Sequence, residues 1–219
     1  MSEISNKTSK LKGYLAFAFV ILFAAFLLFR FSPIGAKEQK PLEKLAYSGI
    51  CAKQDFSNSE NERDVIPLTL ELKSGKVEIE LWCDVAPEHV DRIATLASDG
   101  FYDGIVFHRV IEEFMAQTGD PTGTGMGGSD LADLKAEFSS EPFVRGTLGM
   151  ARSNNPNSAN SQFFITFGDA AFLNNNYTVF GQVVSGMEFV DKIKKGDSNE
   201  NGVVNNPDAI ITMTINLDG

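Results

Sequence analysis

A closed β-barrel capped by two α-helices, preceded by one apolar amino-terminal helix, is the architecture this sequence predicts. Three observations predict it. Residues 68–72 (LTLEL) and 76–81 (KVEIEL) alternate apolar and polar side chains across Lys73-Ser74-Gly75, which is a hairpin signal. Further short apolar runs bounded by Gly, Pro and Asn recur to residue 217, with only two helical stripes among them. Ahead of them all stands a run of 16 uninterrupted apolar residues, 14–29.

That run follows Lys7, Lys10 and Lys12 and precedes Arg30. A spanning helix needs about 20 residues and a secretory apolar region about 7–15. If Arg30 snorkels, the apolar stretch reaches Ile34, which is enough to span. A cleaved signal needs small residues before the cut; Ala36 fits, but Ile34 two positions earlier fits poorly. The expectation is a cytoplasmic tail (1–12), a single-pass membrane anchor (13–34) and an exported downstream domain. Residues 35–63, rich in Lys, Glu, Ser and Asn, form a flexible tether in this reading.

The charge divides in the same way. Residues 1–60 carry 8 Lys/Arg against 5 Asp/Glu, whereas residues 61–219 carry 11 against 24, a net of −13. An acidic domain repels phosphate backbones, so nucleic acid is excluded as a partner. Residues 64–219 are long enough for one domain with its own core, expected to be monomeric. Pro87 and Gly100 bracket a helix that places Val90, Ile93, Ala94 and Ala97 on one stripe. A second helix is expected over residues 187–194, and a last alternating strand over 210–217.

Two segments hold the candidate chemistry. In Phe107-His108-Arg109-Val110-Ile111, strand alternation puts Arg109 on one face with Phe107 and Ile111. A guanidinium there needs a partner or a wet cleft. Phe114, Met115, Gln117 and Gly119-Asp120-Pro121 follow. In Ser161-Gln162-Phe163-Phe164-Ile165-Thr166, Gln162 and Phe164 face one way, and Phe163 and Ile165 face the core. Together with Leu173 these residues offer an arginine, two glutamines and an apolar floor.

With FHRVIEEFMAQTGDPTGTGMGG, MARSNNPNSANSQFFITF and FLNNNYTVFGQVVSGMEFVDKI in this order, the chain from about residue 66 to 217 resembles the cyclophilins. These are peptidyl-prolyl cis-trans isomerases that bind cyclosporin. The resemblance implies an eight-stranded antiparallel barrel, a catalytic Arg109 and a proline pocket of Phe114, Met115, Phe164 and Leu173. It places the backbone-holding glutamine at Gln117, a further cleft residue at Gln162, and main chain that pairs with substrate at Ala151 and Arg152. Phe172 and Tyr177 also fall in the cleft, where tryptophan and histidine are usual, as in the bacterial branch. Thr118 replaces a glycine, Asn174 an aspartate and Arg152 an asparagine. Arginine and pocket are kept, so the implied activity is intact; the missing tryptophan implies weaker cyclosporin binding.

Those residues suffice for the implied reaction. A peptide bond resists rotation by about 18–20 kcal/mol because its C–N bond is partly double. An X-Pro bond has two nearly balanced isomers, so the reaction needs only reduced resonance. A guanidinium donating to the prolyl nitrogen supplies that, and the contact strengthens in the twisted transition state. No cofactor or metal is implied. The expected partners are proline-containing polypeptide clients, unfolded or exported, and the membrane through the anchor. An alternative is a tethered proline-recognition or holdase module in which isomerisation is incidental.

Other motifs weigh less. Gly123, Gly125 and Gly128 match G-x-G-x-x-G but follow a Gly-Asp-Pro turn, so a surface loop beside the cleft is expected. No Gly-Lys-Ser/Thr follows to make a phosphate loop. His89 is expected on the exposed side of its helix, and His108 packed away from the face of Arg109. Cys51 and Cys83 could be two unpaired thiols or a bridge from the tether to the end of the second strand.

Overall fold

The computed structural model describes residues 49–53 and 63–217; the expected anchor at 13–34 and most of the tether lie outside them. Among the described residues no helix is long and apolar enough to cross a membrane.

The alternating runs form β1 (Val65–Leu72) and β2 (Gly75–Trp82), joined by the two-residue turn Lys73-Ser74. Their register sets Ile66 opposite Leu81, Leu68 opposite Ile79 and Leu70 opposite Val77, all buried. Each such burial is worth about 1.5–3 kcal/mol, and a one-residue slip would expose the whole set. The remaining strands are β3 (Arg109–Ile111), β4 (Met115–Thr118), β5 (Thr147–Met150), β6 (Phe163–Thr166), β7 (Val179–Ser185) and β8 (Ile210–Ile215). They make one antiparallel eight-stranded sheet in the order β3-β4-β6-β5-β7-β2-β1-β8.

The expected barrel closure takes a different form. The sheet curls, but β3 and β8 share no ladder; irregular segments bridge the seam. Gly104 donates to Ile210 O, Ile210 to Ile105 O, Phe107 to Asp208 O and Val110 to Gly202 O. Phe107 therefore precedes β3 instead of belonging to it. It packs in the main core with Val110, and only Ile111 shares the side of Arg109. Alternation had placed Phe107 beside the arginine; it fails because the chain is not extended in a ladder there.

The helices are α1 (Ile50–Lys53), α2 (Pro87–Ser98) and α3 (Met187–Val190). α2 buries Val90, Ile93, Ala94 and Ala97 as expected, and it also buries His89 completely. No side chain at Ala86 caps this helix. Instead the Glu137 carboxylate accepts the N–H of Glu88 (3.2 Å) and of His89 (3.0 Å) and lies 2.5 Å from His89 Nδ1. A negative group there satisfies two orphan donors and complements the helix dipole. This partner, 48 residues away, is why the exposed position expected for His89 is wrong.

α3 stops at Val190, four residues short of the expected end, and β8 stops at Ile215. Part of the presumed tether is ordered. Ile50 is buried, Cys51 N donates to Asp91 on α2 (3.1 Å), and Cys51 is bridged to Cys83 with 5.4 Å between their Cα atoms. The disulfide pins residues 49–53 to the domain.

Two apolar clusters lie on opposite faces of the same strands. The larger contains Val110, Ala116, Phe163 and Ile165; the smaller contains Met115, Phe164, Leu173 and Phe143. The second cluster floors the cleft.

Candidate active site

β3 and β4 pair so that Arg109 lies opposite Gln117, which projects the guanidinium and the amide from one face. Arg109 Nη1 donates to Gln117 Oε1 (3.2 Å), Nε to Asn201 O (3.0 Å) and Nη2 to Asn201 Oδ1 (2.9 Å). Gln117 Nε2 donates to Gln162 Oε1 (2.9 Å), and Gln162 Nε2 donates to the carbonyls of Gly125 (3.1 Å) and Gly127 (2.8 Å). A hydrogen-bonded row thus runs from the guanidinium to the glycine loop. Three of the five guanidinium N–H groups are engaged, leaving two on the Nη atoms for a ligand. Burial lowers the pKa of Arg109, opposed by Tyr177. An arginine nevertheless keeps its charge in a protein.

Beside the arginine is a cavity of about 260 Å³. Met115, Phe164 and Leu173 are its buried floor; Phe114, Phe172 and Tyr177 are its walls; Gln117, Ala151 and Arg152 form the side toward a second recess of about 430 Å³. The Phe114 and Phe172 rings are 5.2 Å apart, and Tyr177 meets Phe164 edge-on at 6.0 Å. Gly149 lies behind this floor because nothing larger fits: a Cβ would be 2.3 Å from the Phe164 ring and 2.6 Å from Phe143.

The structure therefore brings Arg109, Phe114, Met115, Gln117, Ala151, Arg152, Phe164, Phe172, Leu173 and Tyr177 around one cavity, and puts Gln162 in the neighbouring recess. Ala151 gives its N–H to Gln162 O (3.0 Å). Asn201 is the residue that sequence reasoning missed. It sits at φ 54° in a turn 92 residues beyond the arginine it holds, with no motif around it.

The glycine loop is built on Asp120, only 1 % exposed. Its carboxylate accepts the backbone N–H of Thr122 (2.7 Å), Thr124 (3.1 Å), Gly125 (2.6 Å) and Gly127 (3.1 Å), and the Thr122 hydroxyl (2.8 Å). Burial alone would raise its pKa, but these donors outweigh it and bring the value down to about 2. The amides that a phosphate would use are thus occupied by the chain's own carboxylate, against a dinucleotide site. A Cβ at Gly127 would lie 2.2 Å from Asp120 Oδ1, so that glycine is required. His108 packs under the loop at Gly125; burial lowers its pKa despite nearby Asp120.

Residues 67–215 match the family model described as cyclophilin type peptidyl-prolyl cis-trans isomerase/CLD. A Brucella suis protein named "Probable peptidyl-prolyl cis-trans isomerase" is 57 % identical over 180 residues, covering 77 % of this chain and 90 % of that one. The human peptidyl-prolyl cis-trans isomerase-like 3 is 42 % identical over 137 residues, covering 61 % of this chain and 84 % of the relative. The crystal structure of a Cryptosporidium parvum cyclophilin type isomerase superposes with a TM-score of 0.64 at 28 % identity, covering 71 % of this chain and 99 % of that one. The same isomerase crystallised in the presence of the dipeptide Ala-Pro gives 0.64 at 29 % identity, over 69 % and 99 % of the two chains. By its matched domain and its relatives, the chain belongs to the cyclophilin-type peptidyl-prolyl cis-trans isomerases.

Proposed function

We propose that Arg109 performs the isomerisation by donating an Nη N–H to the prolyl nitrogen while the proline ring sits in the 260 Å³ cavity. The observation that carries this is a guanidinium at the edge of an apolar floor, held by Gln117 and Asn201 and, among the described residues, by no carboxylate. As the amide twists, its nitrogen becomes pyramidal and basic, and the N–H bond to it strengthens. Interaction gained only in the transition state raises turnover. The floor fixes the ring while the preceding carbonyl swings, and the oriented guanidinium needs no reorganisation at that moment. The clients are unfolded exported polypeptides. The anchor segment at 13–34 tethers the domain to the membrane, so the full chain is expected to stay with membranes after a high-salt wash.

Exchange NMR on a blocked Xaa-Pro peptide reports affinity and isomerisation rate in one sample. Arg109→Ala should cut turnover by about 10²–10³ with a much smaller loss of affinity. Arg109→Lys should restore only part, because a point charge lacks the planar fork. Collapse of affinity with the rate retained would make Arg109 a binding residue and overturn the mechanism.

A further inference from the structure

We propose that the cleft selects clients with an acidic side chain immediately before the proline, and that Arg152 is the group that reads it. The proposal rests on the site reading above and names the substrate class for it. Residues 61–219 carry 11 Lys/Arg against 24 Asp/Glu. Yet the lining of the proline cavity contains two, Arg109 and Arg152, and no Asp or Glu. Among the described residues neither makes an ion pair.

Arg109 is accounted for by the reaction, but Arg152 is not. Its Nη1 donates to Ser153 O (2.8 Å) and its Nη2 to Asn176 O (2.8 Å), and its guanidinium carbon lies 4.5 Å over the centre of the Tyr177 ring. Its Nε is buried and has no hydrogen-bond partner. Two carbonyls and an aromatic face hold the group in place without neutralising it. A half-buried charge so placed favours an anion arriving from outside, and the ordering cost is already met.

The proposed pose runs the substrate along the hydrogen-bonded row. The prolyl nitrogen faces Arg109, and the row Arg109–Gln117–Gln162 leads from there into the second recess. In the proposed pose the residue bonded to that nitrogen, the one before proline, leaves toward the recess. Gln117, Ala151 and Arg152 line both spaces, so this residue passes Arg152. Asp133, the one carboxylate lining the recess, is engaged: Asn160 Nδ2 donates to it (3.2 Å) and Arg92 lies near. Asp133 lines the recess but not the proline cavity, where Arg152 stands.

The test compares blocked tetrapeptides that differ only by Glu or Gln before the proline, in exchange NMR with the full chain. The ratio of their kcat/KM values is read within each protein, so a general loss of activity cancels. The wild-type ratio should favour Glu by about fivefold at low salt and shrink as salt rises. Arg152→Gln should bring it close to one, and Arg152→Lys should keep part of it. A wild-type ratio of one, or a ratio that Arg152→Gln leaves unchanged, overturns the proposal. If no peptide is accelerated, the isomerisation mechanism fails instead, and the Glu:Gln ratio of dissociation constants from the same titration still decides the preference.

Discussion

Replacing Asp120 with Asn should cost this domain roughly 2–3 kcal/mol at neutral pH. The figure follows from the carboxyl pKa, which falls from 3.8 to about 2 on folding. Each pKa unit corresponds to about 1.4 kcal/mol of preference for the charged form. Asn keeps the shape and one carbonyl oxygen but presents an amide N–H₂ to donors that now point at a carboxylate. For a domain of this size that loss should lower Tm by about 5–10 °C. The pH dependence is diagnostic. Because the folded pKa lies below the unfolded one, the unfolded chain takes up the proton first on acidification. The stabilisation is thus complete above about pH 4 and is lost as pH falls toward about 2. Thermal unfolding of both proteins by circular dichroism from pH 7 to 2.5 should show a gap that narrows toward the acid end. A Tm difference under about 1 °C at pH 7, or a gap that stays constant with acidification, would refute the assignment. The variant should also raise KM, since the loop that Asp120 organises supplies the Gly125 and Gly127 carbonyls that hold Gln162.

Two further outcomes follow from the same geometry. Reducing Cys51–Cys83, which spans 32 residues, should destabilise the domain by about 3 kcal/mol, visible as a lower Tm with reductant and in Cys51→Ser but absent when reductant is added to that variant. Gly149→Ala should cost about 1–3 kcal/mol and weaken proline binding more than turnover of bound peptide, because its methyl group would push Phe164 into the cavity; unchanged peptide affinity would count against Phe164 as its floor.

Local pattern alone determined a large part of this protein. The β1–β2 hairpin, the Pro87 start and apolar stripe of α2, and the opposite orientations of Phe163 and Phe164 all follow from periods of two or 3.6 residues, which are properties of the chain itself. The resemblance to the cyclophilins likewise nominated the residues that surround the cavity. Alternation misled only where the ladder is interrupted, at Phe107. Tertiary structure alone decided the rest: the burial of His89 against Glu137, the support of Arg109 by Asn201, the Cys51–Cys83 pairing, the seam between β3 and β8, and the uncompensated charge of Arg152. Each depends on a partner 24 to 106 residues away in the sequence, as the separations of Arg152 from Asn176 and of Gly104 from Ile210 show at the two extremes. Such a partner leaves no periodic trace in the sequence, because what brings it into reach is the folding of the whole sheet.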